Sequence, residues 1–384
     1  HFFYFMHNNP VDYANHIAII GGGISGLTLG CVLKNAKIPV IIFEKSNDVS
    51  DYGAGISISP NGIRVLKYLD VYNELVSVSA NPKEAIYSSI KKKIASFNVD
   101  VITTSRKVLY KVLYNKFTGM GGEVLFNHEL LKADVENLKL YFSNNNSYKV
   151  KHIAACDGIK SICRHSIESQ TNPVYSGYSV WRAIINKNQK NIRTYLGPNH
   201  HIVTYPISAS QISFVAAIKT DKKYKESWRM AGTLNELKED LVLSDTNHFS
   251  FITEKTPLFK WGIYIRPMIK NIQYKNLTLL GDAAHPIVPF IGQGGCLAME
   301  DAFIFGNLVI KYNSDISSAQ SSYEKLRIKR IKMISKLSLR QGYLNHLSNP
   351  LIIFIRNLIM KYFSFLAMRS IKSNVWDYDP KKDT

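Results

Sequence analysis

A two-domain α/β fold, with a dinucleotide-binding domain that carries an inserted antiparallel sheet and ends in C-terminal helices, is predicted by three features of this 384-residue sequence. The first is a short apolar strand, His16-Ile17-Ala18-Ile19-Ile20, running into the loop Gly21-Gly22-Gly23-Ile24-Ser25-Gly26-Leu27. The second is a change of texture from about Val174 to Met268, where apolar and polar residues alternate as in strands with one buried face. The third is the return of a continuous apolar strand, Leu277-Thr278-Leu279-Leu280, followed by Gly281-Asp282. The length exceeds one ordinary domain, and an apolar fraction of 46% is enough for a packed core.

Taken in order, the opening strand is β-branched and apolar throughout, as a strand buried in a parallel sheet should be. After the loop, Leu27, Leu29, Val32 and Leu33 recur at helical spacing. Gly21 permits the tight turn, Gly23 lets backbone approach a pyrophosphate, and Gly26 lets the helix pack on the strand. Ser25 lies in the first turn, whose free N–H groups receive phosphates. A second strand, Val40-Ile41-Ile42-Phe43, ends at Glu44, about twenty residues downstream, where a carboxylate accepts the ribose hydroxyls of an adenosine. Glu44 would repel a 2′-phosphate, so the tightly held dinucleotide is FAD or NAD.

The stretch Tyr52 to Gly62 reads as a mobile loop, followed by a helix carrying Ile63, Val65, Leu66 and Leu69. Arg106 precedes an amphipathic helix, Val108 to Phe117, and is placed to reach the cofactor's phosphate or ribose. Residues 123–150 read as hairpin strands turning at Asn144-Asn145-Asn146, leading to the strand His152 to Ala155 and the turn Asp157-Gly158. Beyond Asp282, the Gly/Pro-rich run Ala283 to Gly295 opens a helix from Cys296 and offers a positive helix end to an electron-rich ring or developing anion. The expected organisation is a dinucleotide domain over 12–173, a substrate sheet over 174–268, a return segment over 269–345, and a C-terminal helical segment over 346–384.

Cys31, Cys156, Cys163 and Cys296 show neither CxxC spacing nor paired metal-ligand histidines, so no metal is expected and a reducing, cytoplasmic setting is. Against 29 acidic residues stand 48 basic ones, a formal charge of +19. No nucleic-acid signature accompanies them, so no nucleic-acid partner is expected; the charge reads as compositional, with some attraction for anionic small molecules. The start, His1 to Met6, is too short for a signal peptide, and Met6 is a candidate initiator. Leu351 to Leu366 is apolar but broken by Arg356 and Lys361 and shorter than the ~20 residues of a membrane span. A helix packed on the body is the expectation, and a basic amphipathic segment lying on a membrane the alternative.

The order Gly21-x-Gly23-x-x-Gly26, Glu44, Arg106, Asp157-Gly158 and Gly281-Asp282-Ala283-Ala284-His285-Pro286 resembles the single-component FAD-dependent aromatic hydroxylases, with the para-hydroxybenzoate hydroxylase-like fold, over residues 16–330. Ser59-Pro60-Asn61-Gly62, Trp181-Arg182, His201-x-Val203-x-Tyr205-Pro206, Gly292-Gln293-Gly294 and Glu300-Asp301-Ala302 are similar to the salicylate hydroxylase group. The resemblance implies a Rossmann-like FAD-binding domain in which Glu44 holds the adenosine ribose, Arg106 the FAD backbone, Asp282 the ribityl chain and Gly292 to Gly295 the isoalloxazine. Asp157 would serve both FAD and the reducing nicotinamide. Ile291 departs from the small residue expected before Gly-Gln-Gly, which would narrow the flavin pocket.

The activity implied by the resemblance is that of a monooxygenase. NADH or NADPH, bound transiently because only one dinucleotide fingerprint is present, reduces FAD; O2 adds at the flavin C4a carbon, and the hydroperoxide hydroxylates an electron-rich ring. His201 is the candidate base or proton relay, Tyr205 the substrate orienter and Gln293 their opposite number; a satisfied strand histidine is the other reading of His201. Arg182 reads as a conformational residue or a carboxylate clamp, and His285 as structural, bonding its own loop. A small aromatic or heteroaromatic substrate is expected, in a monomer or homodimer. Alternatives are inactivation of a polycyclic antibiotic such as tetracycline, a membrane-surface hydroxylase of quinone or isoprenoid precursors, and a non-catalytic flavoprotein.

Overall fold

Continuous apolar runs leave no polar face to turn toward water, and every residue of β1 (Ile17–Ile20) and β2 (Val40–Phe43) is buried. The structure, a computed structural model, describes residues 13–48, 54–89, 92–168, 172–224, 230–241 and 249–384. Met6, Tyr52 and Gly53 lie outside the described residues. Helix α1 (Ile24–Asn35) joins β1 to β2, and β3 (Gly55–Ile58), α2 (Pro60–Tyr68), α3 (Tyr72–Ser77), β4 (Glu84–Ser89), β5 (Lys93–Asn98), β6 (Ile102–Ser105) and α4 (Arg106–Gly119) follow. Strand β7 (Val124–Leu125) returns to the parallel sheet; β8 (Leu130–Asp134), β9 (Lys139–Phe142) and β10 (Ser147–Lys149) form an antiparallel sheet of their own. Strand β11 (His152–Ala155) then pairs in parallel with β1, in register from Ile17 opposite His152.

The next segment supplies β12 (Val174–Asn186), β13 (Ile192–Gly197), β14 (His200–Pro206), β15 (Gln211–Lys219), β16 (Ala231–Gly232), α5 (Leu234–Leu241) and β17 (Leu258–Ile265). The chain re-enters through β18 (Gln273–Tyr274) and β19 (Leu277–Leu279) and finishes with α6 (Gly294–Lys311), α7 (Ile316–Asn345) and α8 (Pro350–Ile371). The nucleotide sheet has the order β18-β19-β11-β1-β2-β7, with parallel pairing except at the β18 edge. The second sheet has the order β16-β17-β12-β15-β14-β13-β4-β5.

Two expectations need correction. The second sheet is not confined to residues 174–268, because β4 pairs in parallel with β13 and brings residues 84–98 with it. Part of the expected mobile loop is β3, held antiparallel to β6 from Gly55 opposite Ser105 to Ile58 opposite Ile102. The C-terminal helix packs on the body along one side only, with Met360 against Ile94, Ala95 and Leu196, and of α8 only Arg356 is buried.

Alternation gives the second sheet two different faces. Trp181, Ala183, Phe214 and Ala216 turn one way and form a core with Leu237 and Leu241 of α5. Val180, Ala217, Trp261 and Ile263 turn the other way and meet Val288 and Phe290 of the loop before α6. That second face looks at the nucleotide domain.

Candidate functional site

The glycines of the first loop are required by contact. Gly21 has φ +101°, and a Cβ there would lie 2.4 Å from the Cys156 carbonyl oxygen; a Cβ on Gly26 would lie 2.0 Å from the Gly21 oxygen. Gly23 differs: it precedes α1 in extended conformation, has no side-chain cap, and a Cβ on it would meet nothing within 4 Å. The open space faces the unpaired N–H groups of the first turn, the arrangement that receives a phosphate. Ser25 contributes only its N–H there, because its hydroxyl donates to the Ala298 oxygen at 3.4 Å and lies in the seam between α1 and α6.

Glu44, at the end of β2, accepts Gly22 N–H at 2.7 Å on one oxygen, and Ser46 N–H and Oγ–H at 2.9 and 2.8 Å on the other. These bonds fix the carboxylate beside the glycine loop with acceptor capacity left for a ribose hydroxyl. Arg106 is the first residue of α4, whose cap Ser105 Oγ accepts Val108 N–H at 3.2 Å. Arg106 is coupled both to Arg182 on the second sheet's inner face and to Asp282 of the nucleotide domain, which defines a cleft between them. Asp282, exposed there yet walled by protein, has its carboxyl raised by that enclosure, with His285 and Arg106 opposing. Arg106 and Asp282 are thus close enough to feel each other across the cleft.

Asp157 instead ties its own turn, its Oδ2 accepting Ile162 N–H at 3.0 Å and Cys163 N–H at 3.4 Å. Gly158, at φ +77°, borders open space. Gly292 (φ +64°) and Gly294 also have nothing within 4 Å of a built Cβ, so the second helix end, at α6, is as open as the first. At Gly295 a Cβ would instead strike Ile56 Cδ1 at 2.7 Å, so the helix start packs on β3 there. Ile291, partly buried, packs with Leu297, Ile334 and Val375.

The Gln293 side chain, expected opposite His201 and Tyr205, is engaged elsewhere. Its amide is buried, donating to Ser59 Oγ at 2.8 Å and accepting from Asn61 Nδ2 at 2.9 Å, which locks the loop to the start of α2. His285 bonds Asp301 of α6, not its own loop. Asp301 also accepts Gly281 N–H at 2.9 Å and Arg327 Nε–H at 2.6 Å. Burial opposes its charge, but His285 and Arg327 prevail and hold its carboxyl down at about 2.

On the strand face, Arg182, Tyr205 and His201 occupy positions of matching parity. Arg182 stacks over Trp261 at 4.6 Å; burial, then the Arg106 charge, lowers its guanidinium to about 9, and Tyr205 is near enough to oppose this. A Cβ on Gly55 would touch Tyr205 and Ser213, so β3 closes that end. His201 lies four residues along β14, ~13 Å away at ~3.3 Å per residue. Its Nδ1 is 3.2 Å from His346 Nε2, while His346 Nδ1 donates to the Gly342 oxygen at 2.6 Å. The two rings form a buried imidazole pair, and His346 Nε2 also lies 3.3 Å from the Ala217 oxygen. Phe290 packs edge-on against both rings. This placement favours the satisfied-histidine reading of His201, with Arg182 and Tyr205 left facing the cleft.

Sequence reasoning missed Arg164, Arg327, Arg330 and His346. Fully buried Arg164 donates to the carbonyls of Ala284 at 3.0 Å and Pro267 at 2.7 Å, bracing the loop after Asp282. Arg327 and Arg330 hold Glu300 and Asp301 from α7. A cavity of about 660 Å³ among Lys187, Gln189, Arg193 and Phe251 lies against β13 and β14 and includes none of these site residues.

The buried histidines make a pH prediction. Burial lowers His346 to about 4 and His152 to about 3. The unfolded chain then binds protons that the folded one refuses, so stability present above pH ~6.5 is lost as pH falls toward 4, by up to ~1.4 kcal/mol per unit and group. Urea midpoints measured between pH 7 and 4.5 should fall, with a shallower slope in His346→Gln; an unchanged slope in that variant would remove His346 from the account.

Comparison with known proteins gives a consistent picture. Residues 15–334 match the family described as FAD binding domain. A 3-amino-4-hydroxybenzoate 2-monooxygenase, PtnB3 of Streptomyces platensis, is 26% identical over 354 residues, 86% of this chain and 88% of that protein. The Klebsiella pneumoniae HpxO structure complexed with FAD and uric acid superposes with TM-score 0.82 at 20% identity, over 94% of this chain and 96% of that one. A salicylate hydroxylase substrate complex gives 0.79 at 19% identity, over 96% of each.

Proposed function

The chain belongs to the FAD binding domain family, and from that premise we propose that it is an FAD-dependent monooxygenase that uses NADH or NADPH and O2 to hydroxylate a small aromatic or heteroaromatic compound. FAD is the bound cofactor and the nicotinamide a transient one. The observation that carries the reading is one cleft with two unlike walls: uncapped, glycine-opened helix ends with Glu44, Arg106 and Asp282 on one, and Arg182 and Tyr205 on the other.

The donor set fits FAD. The open space at Gly23 lies before the N–H groups of α1, Glu44 is held ready for ribose hydroxyls, and Gly292 and Gly294 leave backbone bare for a flat ring. Bound and reduced, the flavin supplies activation of O2 for transfer of one oxygen atom to the substrate ring. The protein's own part is placement. Arg106 and Arg182 make the cleft positive, Tyr205 offers a hydroxyl beside Arg182, and the sheet face excludes water with Val203 and Val215. The relatives' compounds, an aminohydroxybenzoate and uric acid, are electron-rich rings that readily carry negative charge, and such a ring suits this wall.

The rate at which NADH or NADPH bleaches the flavin absorbance, with and without aromatic acids, phenols, purines and polycyclic antibiotics, tests the reading. A compound that speeds bleaching and yields an oxygenated product supports the hydroxylase and names its substrate class. Acceleration by the polycyclic antibiotics alone would move the reading to their inactivation, and a yellow protein that no reductant bleaches would move it to a non-catalytic flavoprotein. Within the site, Arg182→Gln should raise KM for an anionic substrate roughly tenfold or more, from the loss of a charge-assisted hydrogen bond worth about 1.5–3 kcal/mol. Tyr205→Phe should cost up to about tenfold in kcat/KM, and His201→Asn should leave kcat within a few-fold. A collapse of kcat in His201→Asn with full FAD content would restore it as the base.

A further inference from the structure

Helix α8 is inside out. The side chains that approach the body recur at Ile353, Arg356, Asn357, Met360, Ser364 and Met368, a helical spacing that includes three polar groups. Its outward face carries the large apolar ones: Leu351 is 68% exposed, Phe354 62%, Phe365 64%, with Leu358, Ile359, Tyr362 and Phe363 near half. Tyr343, near the end of α7, is also 61% exposed. A water-facing helix shows the reverse pattern.

Twenty-two residues are about 33 Å at 1.5 Å each, long enough to cross a ~30 Å hydrocarbon layer. The ends forbid it. At the start, Leu347 is buried and Arg356 donates to the Leu344 oxygen at 3.0 Å. At the finish, Val375 is buried, Arg330 donates to the carbonyls of Asn374 and Val375 at 3.1 and 3.2 Å, and Arg64 to that of Tyr378 at 3.1 Å. Both ends are tied to the same body, so the helix lies along the surface.

Charge selects what covers it. From Lys325 to Trp376 there are eleven basic residues and no acidic one. Arg327 and Arg330 are neutralised by Glu300 and Asp301, while Lys361 and Arg369 stand exposed on α8 itself. A second copy docked face to face would set these cations against each other, whereas anionic headgroups complement them. We propose that α8 is an in-plane membrane-docking helix that seats the protein on an anionic phospholipid surface, its Phe and Leu side chains in the acyl boundary and Lys361 and Arg369 among the phosphates. The proposal stands independently of the reaction assigned above.

Flotation of the full-length yellow protein tests it, with vesicles of phosphatidylcholine alone or mixed with phosphatidylglycerol. The expected result is flotation with the mixed vesicles, weakened by salt. It should fall at least tenfold in Phe354→Gln/Leu358→Gln/Phe365→Gln, and about fivefold or more in Lys361→Glu at ~1 kcal/mol per basic group; both variants keep their flavin absorbance and circular dichroism. No flotation with either vesicle overturns the proposal, as does equal flotation with both. A dimer in sedimentation equilibrium that the triple variant dissociates, without vesicle binding, would assign the face to a second copy.

Discussion

Arg327→Met should destabilise the protein by about 3–5 kcal/mol, the cost of leaving a buried charge uncompensated. Arg327 bridges two carboxylates, donating from one terminal nitrogen to Glu300 at 2.8 Å and from Nε to Asp301 at 2.6 Å, and all three side chains are inaccessible to water. The two acids would not suffer equally. Glu300 keeps the two-nitrogen grip of Arg330 and the Asn61 amide. Asp301 keeps His285, the Gly281 N–H and the neighbouring Tyr323 hydroxyl, but no second guanidinium. Its carboxyl, now at about 2, should therefore rise. A depressed carboxyl lends stability above its unfolded value near 3.8 and loses it as pH falls toward 2, so this contribution shrinks in the variant. Denaturant unfolding measures the loss, and Asp301→Asn in the same chain should restore part of it, because the uncompensated charge is then gone. A loss below ~1 kcal/mol would mean that the pair is not coupled through Arg327. FAD should also be held more weakly, since Asp301 anchors the backbone at Gly281, one residue before Asp282.

The parts of the site legible in the sequence are those in which a local contact dictates a residue type. Gly21 and Gly26 are needed because oxygen atoms of the same turn and the neighbouring strand occupy the space of a Cβ, and Glu44 is one strand away from the loop it serves. The return strand and Asp282 are readable for the same reason, as a continuous apolar run ending in a turn. The features that escape a sequence reading depend on distant partners. Arg327 and Arg330 sit in a run dense with lysine that looks like a solvated helix face until α7 is laid against Glu300 and Asp301. The loop that carries Gln293 is legible, but the direction of its side chain is decided by Ser59 and Asn61 of α2. Strand β4 joins the far sheet through a parallel pairing with β13 that no local pattern announces. In α8 the apolar content is plain, while which side faces the body depends on where Arg330 and Arg64 capture the chain after it.

Gly26→Val should yield a protein that does not retain FAD, with affinity lowered by about a thousandfold or more, some 4 kcal/mol at 1.4 kcal/mol per tenfold. The Cβ alone would stand 2.0 Å from the Gly21 oxygen and 3.1 Å from Ile19 Cγ2. Gly21 is held in place, because its N–H donates to the Phe43 oxygen at 2.8 Å and the Cys156 carbonyl oxygen fills the space a Cβ on it would take, 2.4 Å away. Relief must come from moving α1 off the sheet, which carries the phosphate-facing N–H groups out of place. Gly23→Ala separates this steric effect from a direct one. That position has a φ of −75° and an empty surround, so alanine should leave the unfolding midpoint unchanged. Any fall in FAD affinity there reports the space that the pyrophosphate itself occupies. A stable, apo Gly26→Val beside a stable, weakened Gly23→Ala would place the phosphates at this helix end; full flavin occupancy in both would move them elsewhere, and the role of Glu44 with them.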